Sequence, residues 1–494
     1  MKKSSLVVWS FLCAVAVLLF TTRSSILFIC NNWDDANSYF TMGKGMMNGL
    51  VIYRDLYDQK GPFLYLLYGI AYLISKKTFL GVFIFEILAA TVFLFYAGKF
   101  IHRKTNGYIA FALVPILSAA VYSSWSFYFG GAAEEFCLPL LAISLFHLDE
   151  LLHDEMTEER LEYIFAITGL CAGIIGQIKY TMLGFFLSWF LIALVWIGKK
   201  KGAGFAAKVA VDFIIFAIIP SILWFIYFLA TGSMDDWFRC YIYNNLFHYS
   251  QVSSGDYSFF NKLYEMTKTL YWLIRDSFSY FVWIIVGMAF QIVTEKGVLR
   301  KIAGIFMFGC TYFVIFIGGN KLAYYSIPLM VFAIPGVAYF GKSVKELSLK
   351  YKKEIPKAFA LAACAAVLFE SVLFAADNTV NAEYRKFKKE DMWLVEAAKI
   401  LDENDTLLEI NAIDAGLYTA TGIKPSCEYF QTNGINLDKM FEEQKRYLKE
   451  KKTDYVLAVN YEPEKIYDNY SLFKVFEYNE SEHEETYYLY KKNQ

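Results

Sequence analysis

The sequence predicts a polytopic α-helical membrane protein that carries a small extracytoplasmic α/β domain at its C-terminal end. Three observations predict it. The 494 residues are 57% hydrophobic and 19% aromatic but only 19% charged, less charge than a soluble chain of this length carries. Apolar runs of spanning length recur as far as Ala376. From Asp377 onward the composition turns to that of a soluble domain, with acidic residues in excess. A net charge of −1 offers no basic field to nucleic acid. The eight cysteines show no CxxC or Cys/His ligand spacing. Cys13, Cys137, Cys171, Cys310 and Cys364 lie inside apolar runs, where they read as small core residues.

Lys2 and Lys3 precede an apolar run from Leu6 to Phe20. A small-residue cleavage signal is weak here, so the run reads as an uncleaved first helix with a cytoplasmic N-terminus. Asn31 to Pro62 is polar, aromatic and acidic between two apolar regions, and reads as the first extracytoplasmic loop. The stretch 63–75 is about four turns, short of the roughly 20 residues a span needs, so it reads as an interfacial helix. Leu80 to Gly98 is then the second span and delivers Lys99, His102, Arg103 and Lys104 to the cytoplasm. Further spans are expected over 108–124, 132–148, 163–178, 182–197, 205–230, 278–293, 302–318, 323–340 and 358–376, making about eleven in all.

Lys199 to Lys201, Lys296 with Arg300 and Lys301, and the lysines from Lys342 to Lys357 agree with cytoplasmic loops. Lys44, Arg54, Lys60, Lys76 and Lys77 stand against that rule, which a functional use for some of them would explain. An odd number of spans places the C-terminus outside. Residues 1–376 thus form the membrane domain and 377–494 a soluble one, with a helix expected over 390–401 and short strands over 406–410, 455–459, 472–478 and 486–490.

The first loop opens on Asp34 and Asp35 and closes on Asp55, Asp58 and Lys60-Gly61-Pro62. One of the opening pair suits a helix N-cap near Ala36 and the other a general base at the bilayer surface. Glu134 and Glu135 open a later span, where charge is costly in lipid and so faces a cavity. They would bind an acceptor, a metal or sugar hydroxyls, or cap the helix. Lys179, Arg275 and Lys321 lie near outer span ends, either snorkelling or meeting an anion. Asp235, Asp236 and His248 read as solvated loop residues. The aromatic runs 241–249 and 257–271 fit an interface belt or a sugar-stacking surface.

Asp35, Tyr39, Gly43, Gly49, Tyr53, Asp55, Asp58 and Lys60-Gly61-Pro62 resemble the first loop of the GT-C glycosyltransferases, above all the protein-mannosyltransferase-like and aminoarabinose-transferase-like families. Those carry an acidic residue after the first span and a Lys-Pro-Pro turn before an interfacial helix. Here Gly61 replaces the first proline, and Asp-Asp stands for the commoner Asp-Glu. Asn320-Lys321-Leu322-Ala323-Tyr324-Tyr325-Ser326-Ile327-Pro328 is similar to the family's His-Tyr-Tyr-x-x-Pro motif, with Ala323 in place of His. The resemblance covers the layout of residues 1–340 and two specific patches.

The resemblance implies a GT-C-like membrane domain and inverting transfer of a sugar from a polyprenyl-phosphate-linked donor to a glycan, lipid or protein hydroxyl in the cell envelope, in a bacterial cell membrane. Nucleotide sugars stay in the cytoplasm, so an outward-facing site needs a lipid-borne donor. Asp35, at the family's position, is the expected base, with Asp34 beside it. Lys60 is the first cation for the leaving phosphate, followed by Lys179, Lys321 and Arg275. Tyr39, Asp55, Asp58, Glu134, Glu135 and Tyr325 are the expected substrate contacts. No cofactor or metal is expected. A polymerase or ligase of lipid-linked glycans, or a lipid-sugar transporter, is the alternative. A transporter would show paired inverted repeats, which are not seen, and a ligase would gather its charges in a later, larger loop.

Overall fold

Long apolar runs condense into helices because a helix satisfies all its backbone bonds internally. In the computed structural model, residues 3–249, 258–319, 321–350, 356–378, 380–432, 434–435, 437–460, 469–480 and 483–493 are described. Tyr257, Asn320 and the lysines at 352 and 353 lie outside them. The first helices are α1 (Lys3–Thr21), α2 (Asp34–Met47), α3 (Pro62–Ile74), α4 (Leu80–Lys104), α5 (Gly107–Tyr122), α6 (Leu138–His153), α7 (Glu158–Gly176), α8 (Leu183–Lys201) and α9 (Ala203–Ala230). Helices Phe259–Asp276, Phe278–Thr294, Val298–Phe316, Ala333–Lys350 and Lys357–Ala376 follow.

Every expected span is helical. Eight helices are long and apolar enough to cross a membrane, and a ninth arises if Phe259–Asp276 and Phe278–Thr294, bent by 109°, count as one. The chain is an integral membrane protein. Two expected spans do not meet the same measure: α5 has only 16 residues, and α7 opens with Glu158, Glu159 and Arg160.

The chain folds as two units. The first comprises 1–22, 85–223 and 257–382 and is helical, with no strand among its described residues. Its helices approach closely through small residues: a Cβ on Gly336 would sit 1.8 Å from the Trp283 carbonyl, and one on Gly287 would meet Gly336 N at 2.7 Å.

The second unit joins three distant segments, 23–84, 224–256 and 383–494. Its sheet runs in the order β1 (Leu407–Ile410), β2 (Tyr455–Val459), β4 (His483–Lys492), β3 (Tyr470–Glu480). β1 and β2 are parallel in the register Leu407 to Tyr455; the other pairings are antiparallel. Both parallel strands are buried throughout, as strands covered on both faces are. All four expected strands are present. The helix expected over 390–401 is shorter, Trp393–Ala397, and a second helix, Asp438–Lys449, was not anticipated.

α2 sends a polar face into this unit. Ser38 Oγ accepts from Gln431 Nε2 (2.8 Å) and Thr41 Oγ1 donates to Asp414 Oδ2 (2.5 Å). Lys44 is fully buried and donates to the carbonyls of Tyr418 and of Ile423 (2.9 Å). Burial lowers the pKa of this ammonium, while the carboxylates of Asp414 and Glu409 favour its charge.

α2 meets α3 at glycines. A Cβ on Gly43 would fall 2.4 Å from Gly69 N and 2.8 Å from Tyr65 O, backbone atoms that cannot turn aside. Gly43→Ala should therefore force the helices apart and lower stability by about 1–3 kcal/mol or more. Gly198→Ala on α8, where nothing lies within 4 Å, should be neutral or slightly stabilising. Thermal unfolding of the purified proteins checks both; equal midpoints would remove the crossing as a constraint.

Candidate active site

α2 starts at Asp34, two residues before the expected start near Ala36. Trp33 is its N-cap and makes no side-chain cap bond, so neither aspartate caps the helix. Asp34 and Asp35 instead sit in the first turn, where the helix dipole favours anions. Asp34 Oδ1 accepts from Asp35 N (2.7 Å). Burial, and next the charge of Asp35, push the Asp34 carboxyl up to about 7.

Lys60 Nζ lies 3.9 Å from Asp35 Oδ1, the two side chains being 14% and 13% exposed. The ammonium also stands over the Tyr39 ring, 5.4 Å from its centroid. Its backbone is gripped on both sides: Lys60 N donates to Tyr65 Oη (2.8 Å), and Tyr53 Oη donates to Lys60 O (2.6 Å). Tyr53 is buried at φ 70°, a left-handed conformation costly for a bulky residue and kept only where its surroundings over-determine it. Asp58 is buried and accepts from Tyr65 Oη (2.8 Å). Burial raises its pKa, against the opposing charge of Lys60. Pro62 starts α3 directly after this turn, in the position that best tolerates proline.

The turn is clamped from outside. Tyr57 N donates to Glu428 O (2.8 Å), and the Tyr57 and Tyr429 rings lie 5.1 Å apart. The wide π-type helix Phe238–Tyr249 contributes Asn244, bonded to Tyr57 Oη (3.1 Å), and Asn245, bonded to Gln59 O (2.8 Å). The first aromatic run of the sequence is thus partly a brace for the loop.

The five residues Asp34, Asp35, Tyr39, Asp58 and Lys60 form one cluster. Asp55 is turned elsewhere: it closes its own turn by accepting from Val51 N (2.7 Å) and pairs with Arg54. Four of the five cations set against the positive-inside rule therefore have partners: Lys44 within the fold, Arg54 on Asp55, Lys60 on Asp35, and Lys77 on Glu403 (3.3 Å).

Within the first unit a second acid–lysine pair forms. Lys179 bonds the buried Glu134 and lies over the Tyr325 ring, 3.4 Å from its centroid. The Tyr-Tyr motif thus provides an aromatic seat for this cation. Glu135 points away, accepting from Gly131 N (2.9 Å). Lys321 joins Glu265 (2.5 Å) at the surface, beside Lys268, and Arg275 pairs with its neighbour Asp276. Neither joins Lys179. Among the described residues no three His, Cys, Asp or Glu side chains gather as metal ligands.

No family model matches the chain, and no curated protein matches it. Solved structures do. ArnT from Cupriavidus metallidurans bound to undecaprenyl phosphate superposes with a TM-score of 0.64 at 10% identity, over 99% of this chain and 98% of that one. The same protein in its apo state gives 0.64 at 11% identity, over 92% of each chain. The chain has the GT-C fold. The arabinofuranosyltransferase AftD from Mycobacteria, in a mutant form, matches with a TM-score of 0.50 at 10% identity, over 99% of this chain and 42% of that one. The sequence singled out Asp34, Asp35 and Lys60, which the structure groups in the second unit, and Glu134, which pairs with Lys179 in the first. It missed Tyr65, which holds Asp58 and Lys60 together, and the buried Lys44, whose only signal was its conflict with the positive-inside rule.

The raised Asp34 pKa has a consequence for stability. Between its unfolded value near 3.8 and its folded value of about 7 the folded protein binds more protons. Asp34 therefore favours folding at low pH, and that contribution is lost as pH rises through about 7. Asp34→Asn, which keeps an oxygen for Asp35 N, should flatten the decline of unfolding temperature between pH 5 and 8. A variant whose profile parallels the parent would show that Asp34 titrates normally.

Proposed function

We propose that the protein is a membrane glycosyltransferase that moves a sugar from a polyprenyl-phosphate-linked donor to an acceptor hydroxyl outside the cytoplasm. The observation that carries the reading is the Asp35–Lys60 pair, held 3.9 Å apart on a braced turn next to the Tyr39 ring. Similarity of fold to ArnT, crystallised with undecaprenyl phosphate, supports the donor class.

In this reading Lys60 faces Asp35 in the resting site. When donor arrives, Lys60 turns to its phosphate and frees the carboxylate. Asp35 takes the proton of the acceptor hydroxyl as that oxygen attacks the anomeric carbon. The bond from this carbon to the phosphate oxygen breaks, and its electron pair leaves with polyprenyl phosphate, whose growing charge Lys60 stabilises. Attack opposite the leaving group inverts the anomeric centre. Asp34, half-buried and already inclined to hold a proton, sets less negative charge beside Asp35 than a second full carboxylate would.

Asp35→Asn should abolish transfer in an assay with defined polyprenyl-phosphate sugars while leaving the unfolding temperature in place, because the amide keeps size but takes no proton. Lys60→Ala should slow transfer roughly ten- to hundredfold, and Lys60→Arg should restore part of it. Near-normal turnover by Asp35→Asn would pass the role of base to Asp34.

The first loop and the segment 383–494 belong to one folded unit, which supports placing both on one membrane face. An even number of crossings must then separate them. That holds for nine or eleven spans in total, and the N-terminal lysines put the shared face outside. In a cysteine-depleted background, an impermeant thiol reagent should label Ser426→Cys and spare Ser348→Cys in intact cells. The reverse pattern would turn the loop to the cytoplasm and end the lipid-donor reading.

A further inference from the structure

A cavity of about 370 Å³ opens in the first unit and is lined by none of the residues that the transfer reading uses. Three stretches far apart in the chain build it: Trp125 after α5, one side of helix Phe259–Asp276, and Lys321 with Ala323. Glu265, Lys268, Thr269, Trp272, Leu273 and Asp276 recur at spacings of three and four, which puts them on one helix face.

A knot of hydroxyls ties the three stretches together. Ser126 N donates to Ser277 Oγ (3.0 Å), and Ser126 Oγ lies 2.7 Å from the hydroxyls of Ser277 and of Ser326. Tyr280 Oη bonds to Ser126 Oγ (3.2 Å) and Ser326 Oγ (3.1 Å). All four residues are buried, and each hydroxyl is satisfied by the others. The cavity wall is therefore preformed, as ligand sites usually are.

Two characters meet in this wall. Trp125 and Trp272 line it yet are 45% and 58% exposed, although large indoles are mostly covered. Among the described residues no ring or cation stacks on Trp125, and Trp272 has the Arg275 guanidinium 5.7 Å from its centroid. The charges of the wall balance: Glu265 and Asp276 against Lys268 and Lys321. Glu265 takes Lys268 on Oε1 (3.1 Å) and Lys321 on Oε2 (2.5 Å), and Asp276 pairs with Arg275 (2.6 Å). No charge of either sign is left to call for an oppositely charged ligand. What the pairs keep is hydrogen-bonding capacity, since a carboxylate accepts about four bonds and an ammonium donates three. Four charged side chains also mark this wall as one that meets water and not hydrocarbon.

We infer that this cavity binds a neutral sugar ring, as one unit of a glycan. A hydroxyl donates and accepts at once, so it fits where Glu265 stands between two ammoniums. The C–H face of a pyranose is weakly positive and matches the negative face of an indole. Bare indoles beside a charge-balanced rim suit a molecule with an apolar face and a hydroxyl edge. A phospholipid headgroup brings a phosphate, for which the rim holds no unmatched cation. At about 30 Å³ per water the volume equals roughly twelve waters, room for a ring or two. The inference rests on the cavity and not on the transfer reaction.

The test uses the purified full-length chain in a detergent without a sugar headgroup. Saturation-transfer NMR and calorimetry measure binding of the methyl glycosides of glucose, galactose and mannose, of N-acetylglucosamine, and of maltose and cellobiose. Glucuronate and glucosamine serve as charged counterparts. Native mass spectrometry of delipidated protein given back phosphatidylglycerol or phosphatidylethanolamine reads the lipid alternative. At least one neutral sugar should bind saturably and more tightly than either charged counterpart. Trp125→Ala and Trp272→Ala should each weaken it about tenfold and, both side chains being half-exposed, leave the unfolding temperature unchanged. Phe260→Ala, 79% exposed on the same helix and outside the cavity, should change nothing. Absence of saturable binding across the sugars overturns the inference, as does tighter binding of a charged one or binding that neither tryptophan variant weakens. A phospholipid retained through the two tryptophans, without sugar binding, also overturns it and assigns them to the interface belt.

Discussion

The hydrogen-bonded seam between α2 and the 414–431 segment is the constraint on which the loop's geometry depends. Ser38, Thr41 and Lys44 recur at helical spacing and all face inward. Their polar groups are taken out of water, so each must find a partner or cost more than it returns. The partners are carbonyls and side chains far along the chain, and meeting them fixes the rotation of α2 about its axis. Rotation in turn fixes where Asp35 and Tyr39 point. The bare backbone contact at Gly43 then fixes α3, and with it Pro62 and the turn that carries Lys60.

Two places in the molecule use the same three-part arrangement. Asp35, Lys60 and Tyr39 form one; Glu134, Lys179 and Tyr325 form the other. In each a carboxylate faces the ammonium, and a tyrosine ring adds a weaker attraction that leaves the ammonium able to swing. A guanidinium locked in a bidentate fork would be harder to redirect. A mobile point charge is the better choice where an incoming anion must displace an internal one.

Much of the fold was legible because membrane burial writes a coarse code. Runs as apolar as Leu80–Gly98 or Phe205–Ala230 have little choice but helix, and the strands at 407–410 and 455–459 are apolar but for Glu409. The site was legible only in part. Asp35 and Lys60 stood out as charges between apolar runs, and a short-range pattern tied them together. Asp55 stood out equally and proved to be a turn-former, because sequence shows charge and not its partner. The cap was misplaced since Asp34 lies one residue inside the helix it was expected to start. Lys44 with Asp414, and Lys179 with Tyr325, were invisible for another reason: their partners are brought near only by the finished fold. The helix Asp438–Lys449 was hidden by its high charge; its buried face is thin and anchored by Gln444, which bonds the carbonyls of Tyr429 (3.1 Å) and Gln431 (3.0 Å).

The second unit is built from three stretches separated by membrane helices, and its β4 strand ends at Lys492. During synthesis the inward face of α2 leaves the ribosome hundreds of residues before Asp414 or Gln431 exists. Long-range pairing of this kind is slow, since chain closure must precede any reward from contact. Until it occurs, Lys44 has only water or lipid headgroups for company, and the loop bearing Asp35 is not held in shape. A chain that stalls before its final strands are made would carry every expected membrane span and still leave that loop without its anchors. The shape of the first loop thus depends on the last residues of the chain to be made.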